Sequence, residues 1–294
     1  MSRVRRVDVG GMVYHVLNRA NFRSRLFRTP AHYQAFLAIV GESLTFVPMR
    51  ILAYCLMPNH GHLVLYPRAD GDLGKFLQRV TMTHTQRYHA NTRTVGYGHV
   101  YQGRYKSLPV ELGSHFLTLV RYVERNAKRA ALVAKAEDWP WSSVHVRLYG
   151  SARERKMLRA WPVPEPPDYL KWLNHSQGKE ESEKIRQAIK RSRPYGSEKW
   201  VSKAVRQFGL ESTTRSRGVR KKAPDPLPGP GGSPGGAIRA GPRGPRRGVD
   251  ARCYEHRQLH GEFIPLGRGI QRFTPELEHD GGPSRKRGGD RREW

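Results

Sequence analysis

Two histidines two residues apart, His60 and His62, follow a turn signal at Pro58 and Asn59 and open the apolar run Leu63, Val64, Leu65. Side chains alternate faces along a strand, so both imidazoles stand on one side of it. Two neighbouring imidazoles can hold one divalent metal ion. Farther on, Tyr122 and Asn126 lie four apart in an apolar-periodic segment, one helical turn from each other. An asparagine carbonyl is a suitable third ligand for a hard cation. A phenol, with its pKa near 10, is a weak nucleophile until a cation or base assists it. A metal that polarises a phosphoryl oxygen gives that assistance. Tyrosine and metal together suggest strand cleavage through a covalent phosphotyrosine, given a polyanionic substrate.

The charge points to such a substrate. The 294 residues carry 53 Lys and Arg against 25 Asp and Glu, a formal net charge of +28. That excess reads as binding to nucleic acid through phosphate contacts. No apolar run is long enough to span a bilayer, and no basic amphipathic anchor is evident, so a membrane partner is not expected. Two cysteines, Cys55 and Cys253, are too few for a disulfide framework, and Cys55 sits in an apolar run as a buried thiol. The basic first residues are not followed by a signal-peptide core, and a reducing cytoplasm is the expected setting.

Strands are predicted at Val13–Leu17, Met49–Leu56 and His60–Tyr66, the last two forming a hairpin about Pro58 and Asn59. Helices are predicted at Pro30–Phe46, from Asp72 to about His89, and from Ser114 to about Ala131, with loop and strand over 96–110. This βαββα order, followed by further β and α, predicts an α+β sandwich with helices on an antiparallel sheet. Residues 1–150 form one domain by this reading. Residues 151–222 form a helical, basic appendage, with helices over Glu180–Arg191 and from a capping Ser197 to Phe208, and a basic run from Arg215 to Lys222. Residues 223–294, with 25 Gly and Pro in 72 positions, cannot bury enough apolar surface to order and are expected to be disordered.

Five segments together resemble the REP-associated tyrosine transposases, within the group of single-tyrosine transposases carrying a His-hydrophobic-His metal motif. They are Tyr14–Arg19, Met57–His62, Gly98–Ser107, Arg121–Asn126 and Asp138–Ser143, and the resemblance covers about residues 10–222. It implies a ferredoxin-like fold and Mg²⁺ or Mn²⁺ held by His60, His62 and Asn126. Tyr122 would be the nucleophile that keeps a 5′ phosphate. The partner would be single-stranded DNA, a hairpin or palindromic repeat, and the protein a monomer or homodimer. Arg19, Tyr101, Gln102, Arg104, Lys106, Arg121 and Arg125 are the expected DNA-binding residues, cations tracking phosphates and rings stacking on bases. The chain departs from the family at Gly61, usually bulky and apolar, and at Ala127, usually proline. Gly61 is expected to leave a gap beside the metal strand, whereas Ala127 should continue the helix.

Competing readings have distinct consequences. Tyr88, Tyr101 and Tyr105 are rival nucleophiles. His15 and His99 read as structural or DNA-facing rather than metal-ligating. A DNA-binding protein that has lost cleavage would bind hairpins in a salt-sensitive way without cutting them. A rolling-circle initiator is disfavoured by the short core and by the absence of a nucleotide-binding motif.

Overall fold

The computed structural model describes residues 6–96 and 98–214. The basic run from Arg215, the tail 223–294 and Cys253 lie outside these residues, and so do the expectations made for them.

The predicted hairpin forms, with strands β1 (Val13–Arg19), β2 (Met49–Met57), β3 (His60–Pro67) and β4 (Lys106–Val110). They make one antiparallel sheet in the order β2-β3-β1-β4. Helix α1 (Pro30–Phe46) joins β1 to β2, and α2 (Asp72–Thr92) joins β3 to β4. This connectivity is that of a ferredoxin-like α+β sandwich. Proline starts α1, where its missing N–H costs nothing. Pro48, just past its end, disfavours a further helical turn. The start of α2 is capped from a distance: the Asp8 carboxylate accepts from Leu73 N at 3.1 Å and Gly74 N at 2.7 Å. A Cβ at Gly74 would lie 2.8 Å from that carboxylate, so only glycine allows the approach.

Strand alternation divides the core. Tyr14, Val16, Ile51, Leu56, Leu63 and Leu65 meet Phe36, Ile39, Phe76 and Leu77 of α1 and α2 on one face. Val13, Cys55, Val64, Leu108 and Val110 meet Phe116, Leu119, Val120 and Val123 on the other. The second face is covered by α3 (Ser114–Glu124), so the sheet is sandwiched. The Cys55 thiol is fully buried there, and desolvation pushes its pKa up to about 12.

Past α3 come α4 (Asn126–Arg129), α5 (Ser143–Tyr149), α6 (Ala152–Arg155), α7 (Tyr169–Asn174), α8 (Lys179–Arg191), α9 (Glu198–Phe208) and α10 (Glu211–Thr214). They pack on the sandwich. Ile185, Ala188 and Ile189 of α8 complete the α3-side core, and Val201 and Val205 of α9 join the other. Ser197 caps α9 as expected, its Oγ accepting from Trp200 N. The reciprocal half of the cap comes from Glu111, whose carboxylate accepts from Ser197 N at 2.5 Å. No helix among the described residues is long and apolar enough to cross a membrane.

Candidate active site

Register places the histidines. His60 lies opposite Arg19, His62 opposite Leu17, and Val64 opposite His15, all on the α3 face of the two central strands. The His60 and His62 rings sit 5.0 Å apart and line a cavity of about 820 Å³. Each has its Nδ1 engaged. Asn59 Oδ1 accepts from His60 Nδ1 at 2.6 Å, and His62 Nδ1 lies 2.8 Å from His15 Nε2. These bonds fix the ring orientations and leave both Nε2 atoms without a partner among the described residues. All three imidazoles are held neutral. Burial lowers His15 to about 3; burial, then Arg19 and Arg129, lower His60 to about 4; burial, then His15 and His60, hold His62 well below the usual histidine range. A neutral imidazole with a hydrogen-bonded far nitrogen is the form that binds a metal.

The helix predicted through Ala131 breaks between Tyr122 and Asn126. Arg125 takes φ −82°, ψ 0°, and α4 is a single turn ended by Ala131 at φ 55°. The Asn126 carboxamide accounts for the break: its Nδ2 donates to the Tyr122 and Val123 carbonyls at 3.1 Å each, taking helix acceptors with a side chain. Asn126 Oδ1 accepts a short hydrogen bond from the Arg129 guanidinium. The same guanidinium lies 4.2 Å over the Tyr122 ring. Tyr122 is 4% exposed and meets His62 of its own chain edge-on, with ring centroids 6.0 Å apart.

Tyr122, Asn126, His60 and His62 therefore line one cleft. The donor set suits a divalent ion on its imidazole side, whereas the Asn126 oxygen is committed to Arg129. Among the described residues no group of three or more His, Cys, Asp or Glu side chains is arranged to hold a metal, so an ion here would rest on the histidine pair. Gly61 leaves no gap: a Cβ there would lie 3.2 Å from Leu56 Cδ2, because the paired leucine of β2 already fills the space.

Of the expected DNA-binding residues, Arg19, Gln102, Arg104 and Lys106 line this cleft. Tyr101, Arg121 and Arg125 do not line it. The Arg121 side chain is 8% exposed, donates to His175 O at 2.8 Å and lies over Trp172. The Tyr101 hydroxyl is bonded to His84 Nδ1 at 2.8 Å, and its ring packs against the α1–α2 core. Arg125 is half-buried at the helix break. The rival nucleophiles Tyr88, Tyr101 and Tyr105 all pack on that opposite core, away from the histidine pair. Tyr101 forms an isolated bridge with Ala20, residues 102–105 are irregular, and strand pairing resumes at Lys106.

Sequence reasoning missed Arg23, Arg129, Arg186 and Lys190, which add four cations to the cleft wall. Arg129 was reachable as the i+3 neighbour of Asn126, and Arg186 and Lys190 as an i, i+4 pair. It also missed His15 as the support of His62.

A buried carboxyl holds α3. Glu124, two residues after Tyr122, is fully buried and accepts from Ser143 Oγ at 2.5 Å and from the Tyr169 hydroxyl. Lys128 donates to Asn174 O at 2.9 Å beside it. Segment 161–176 thus straps α3 and α4 down.

Comparison with known families finds a partial match. Residues 8–126 match the family described as IS200-like transposases, a stretch from the approach to β1 through Asn126. Over that region the chain is similar to the IS200-like transposases. Among solved structures it is similar to a REP-associated tyrosine transposase bound to a REP hairpin, at 22% identity and TM-score 0.44, covering 50% of this chain and 86% of that one. It is also similar to a protein from Deinococcus radiodurans described as a transposase candidate, at 16% identity and TM-score 0.31, covering 41% and 93%. No curated protein matches the chain.

Proposed function

We propose that this chain is a single-tyrosine transposase that cleaves and rejoins single-stranded, hairpin-forming DNA with Mg²⁺ or Mn²⁺ as cofactor. The observation that carries the reading is the Tyr122 ring 6.0 Å from the His62 ring in a cleft lined by cations. Arg19, Arg104 and Lys106 draw the strand in and offset its charge. The Tyr122 oxygen attacks phosphorus, forming a tyrosyl P–O bond as the P–O3′ bond breaks. The phenolic proton leaves to solvent, the departing 3′ oxygen takes one up, and the 5′ phosphate stays on Tyr122. A second 3′ hydroxyl then attacks this phosphotyrosine, restoring the phosphodiester and returning the phenol. His60 and His62 would hold the divalent ion, which would supply Lewis-acid polarisation of the phosphoryl group. Asn126 could join that ion only by releasing Arg129.

The test incubates the protein with single-stranded hairpin DNA and Mn²⁺ and looks for a denaturant-resistant protein–DNA adduct. An adduct that forms equally well in excess chelator would exclude the metal-dependent mechanism. The Arg129–Asn126 bond favours a second reading, a DNA-binding protein without cleavage, in which hairpins bind but no adduct forms under any metal.

His15 positions a ligand in this scheme. Its only bond among the described residues is to His62 Nδ1, and at 1% exposure water cannot replace it. Loss of such a support typically weakens metal binding about 10–100-fold. His15→Phe should do so in a Mn²⁺ titration followed by calorimetry, without DNA present. Unchanged Mn²⁺ affinity in a folded His15→Phe protein would remove this role.

A further inference from the structure

The turn Asn21–Arg23, between β1 and α1, spends backbone strain on displaying one ring. Phe22 adopts φ 51°, ψ 20° and Arg23 φ 54°, two successive bulky residues in the left-handed region. Such a conformation costs free energy in any residue with a Cβ and persists only where its surroundings enforce it. Nothing apolar is gained in return: Phe22 is 93% exposed, while Phe27 of the same loop is 2% exposed in the core.

The surroundings do enforce it. Asn21 N donates to Val100 O at 2.8 Å, Phe22 N to Asn21 Oδ1 at 3.0 Å, and Leu26 N to Pro58 O at 2.7 Å. Asn59 supplies the tie to the site. Its Nδ2 donates to Arg23 O at 3.3 Å, and its Oδ1 accepts from His60 Nδ1 at 2.6 Å. One carboxamide thus sets both the turn and the first histidine of the pair. Arg23, next to Phe22, lines the cleft.

We propose that Phe22 is a base-stacking platform, holding one unpaired nucleobase of the strand that enters the cleft. This rests on the single-strand reading above and adds a residue to it. An aromatic ring takes any base face, and Arg19 and Arg23 alongside secure the phosphates.

The experiment uses the full chain, chelator and no metal, with single-stranded oligonucleotides carrying 2-aminopurine at successive positions. The wild type should quench the probe at one position. Phe22→Ala should lose that quench and bind about 5–100-fold more weakly, the range of one lost base stack. Phe22→Trp should restore both. Phe22→Gly serves as a fold control: it relieves the left-handed strain, so its melting temperature should hold or rise while binding falls. Wild-type-like affinity and quench in Phe22→Ala or Phe22→Gly would overturn the platform and leave the single-strand reading standing. A wild type that binds no single strand overturns both.

Discussion

Tyr122→Phe should abolish the covalent DNA adduct while leaving both the fold and hairpin binding intact. The hydroxyl has no hydrogen-bond partner among the described residues, so its removal orphans nothing. The ring, 4% exposed between His62 and Arg129, keeps its packing. A stability change within about 0.5 kcal/mol is therefore expected. The rate effect is of another order: deleting a covalent nucleophile costs on the order of 10⁴–10⁶-fold. Denaturing gels with labelled hairpin DNA measure the adduct, and salt-dependent binding measures the rest. Persistence of the adduct in Tyr122→Phe would reassign the nucleophile, and none of Tyr88, Tyr101 or Tyr105 stands in the histidine cleft to inherit it.

The largest stability effect is expected at Glu124. Glu124→Ala strips the Tyr169 hydroxyl of its acceptor and opens a cavity beneath α3, while Ser143 Oγ keeps the Tyr54 backbone at 2.8 Å. Together these should cost about 2–4 kcal/mol, or about 5–15 °C in melting temperature for a unit of this size. Glu124→Gln separates shape from charge. Burial, the largest influence, raises the Glu124 pKa, opposed by the Ser143 and Tyr169 hydroxyls. A carboxyl whose pKa is raised on folding stabilises fully below its unfolded value and loses that contribution as pH rises through the folded value. Wild-type stability should therefore fall relative to Glu124→Gln as pH rises above about 4.5. Urea midpoints across that window measure the difference, and a gap constant with pH would show that Glu124 is not buried as a titrating acid.

Much of this arrangement was legible beforehand because it rests on local periods. Period-two alternation put His60 and His62 on one face. The apolar spacing of Tyr33, Phe36 and Val40 bounded α1 at Pro30 and Phe46. What failed were inferences in which tertiary partners override local pattern. Arg121 looked like a cation beside a nucleophile, but a backbone carbonyl from 54 residues away claims its guanidinium. Tyr101 looked like a stacking ring until His84 took its hydroxyl. The α3 break was hidden because it depends on where one asparagine amide points. His15 was read as structural or DNA-facing, and strand register against Val64 was needed to show that it backs His62.

The strap over α3 also has a consequence for how the molecule can be divided. Sequence similarity to the transposase family stops at Asn126, yet the hydroxyl that satisfies Glu124 arrives from Tyr169, and the aliphatics closing the sheet's second face arrive from Ile185 and Ile189. A fragment trimmed at the edge of that match would keep Tyr122, Asn126 and the histidine pair and still be half a protein, with an acid stranded in oil and a wet seam where its interior should be. For this chain the edge of the sequence match and the edge of the packed interior fall in different places.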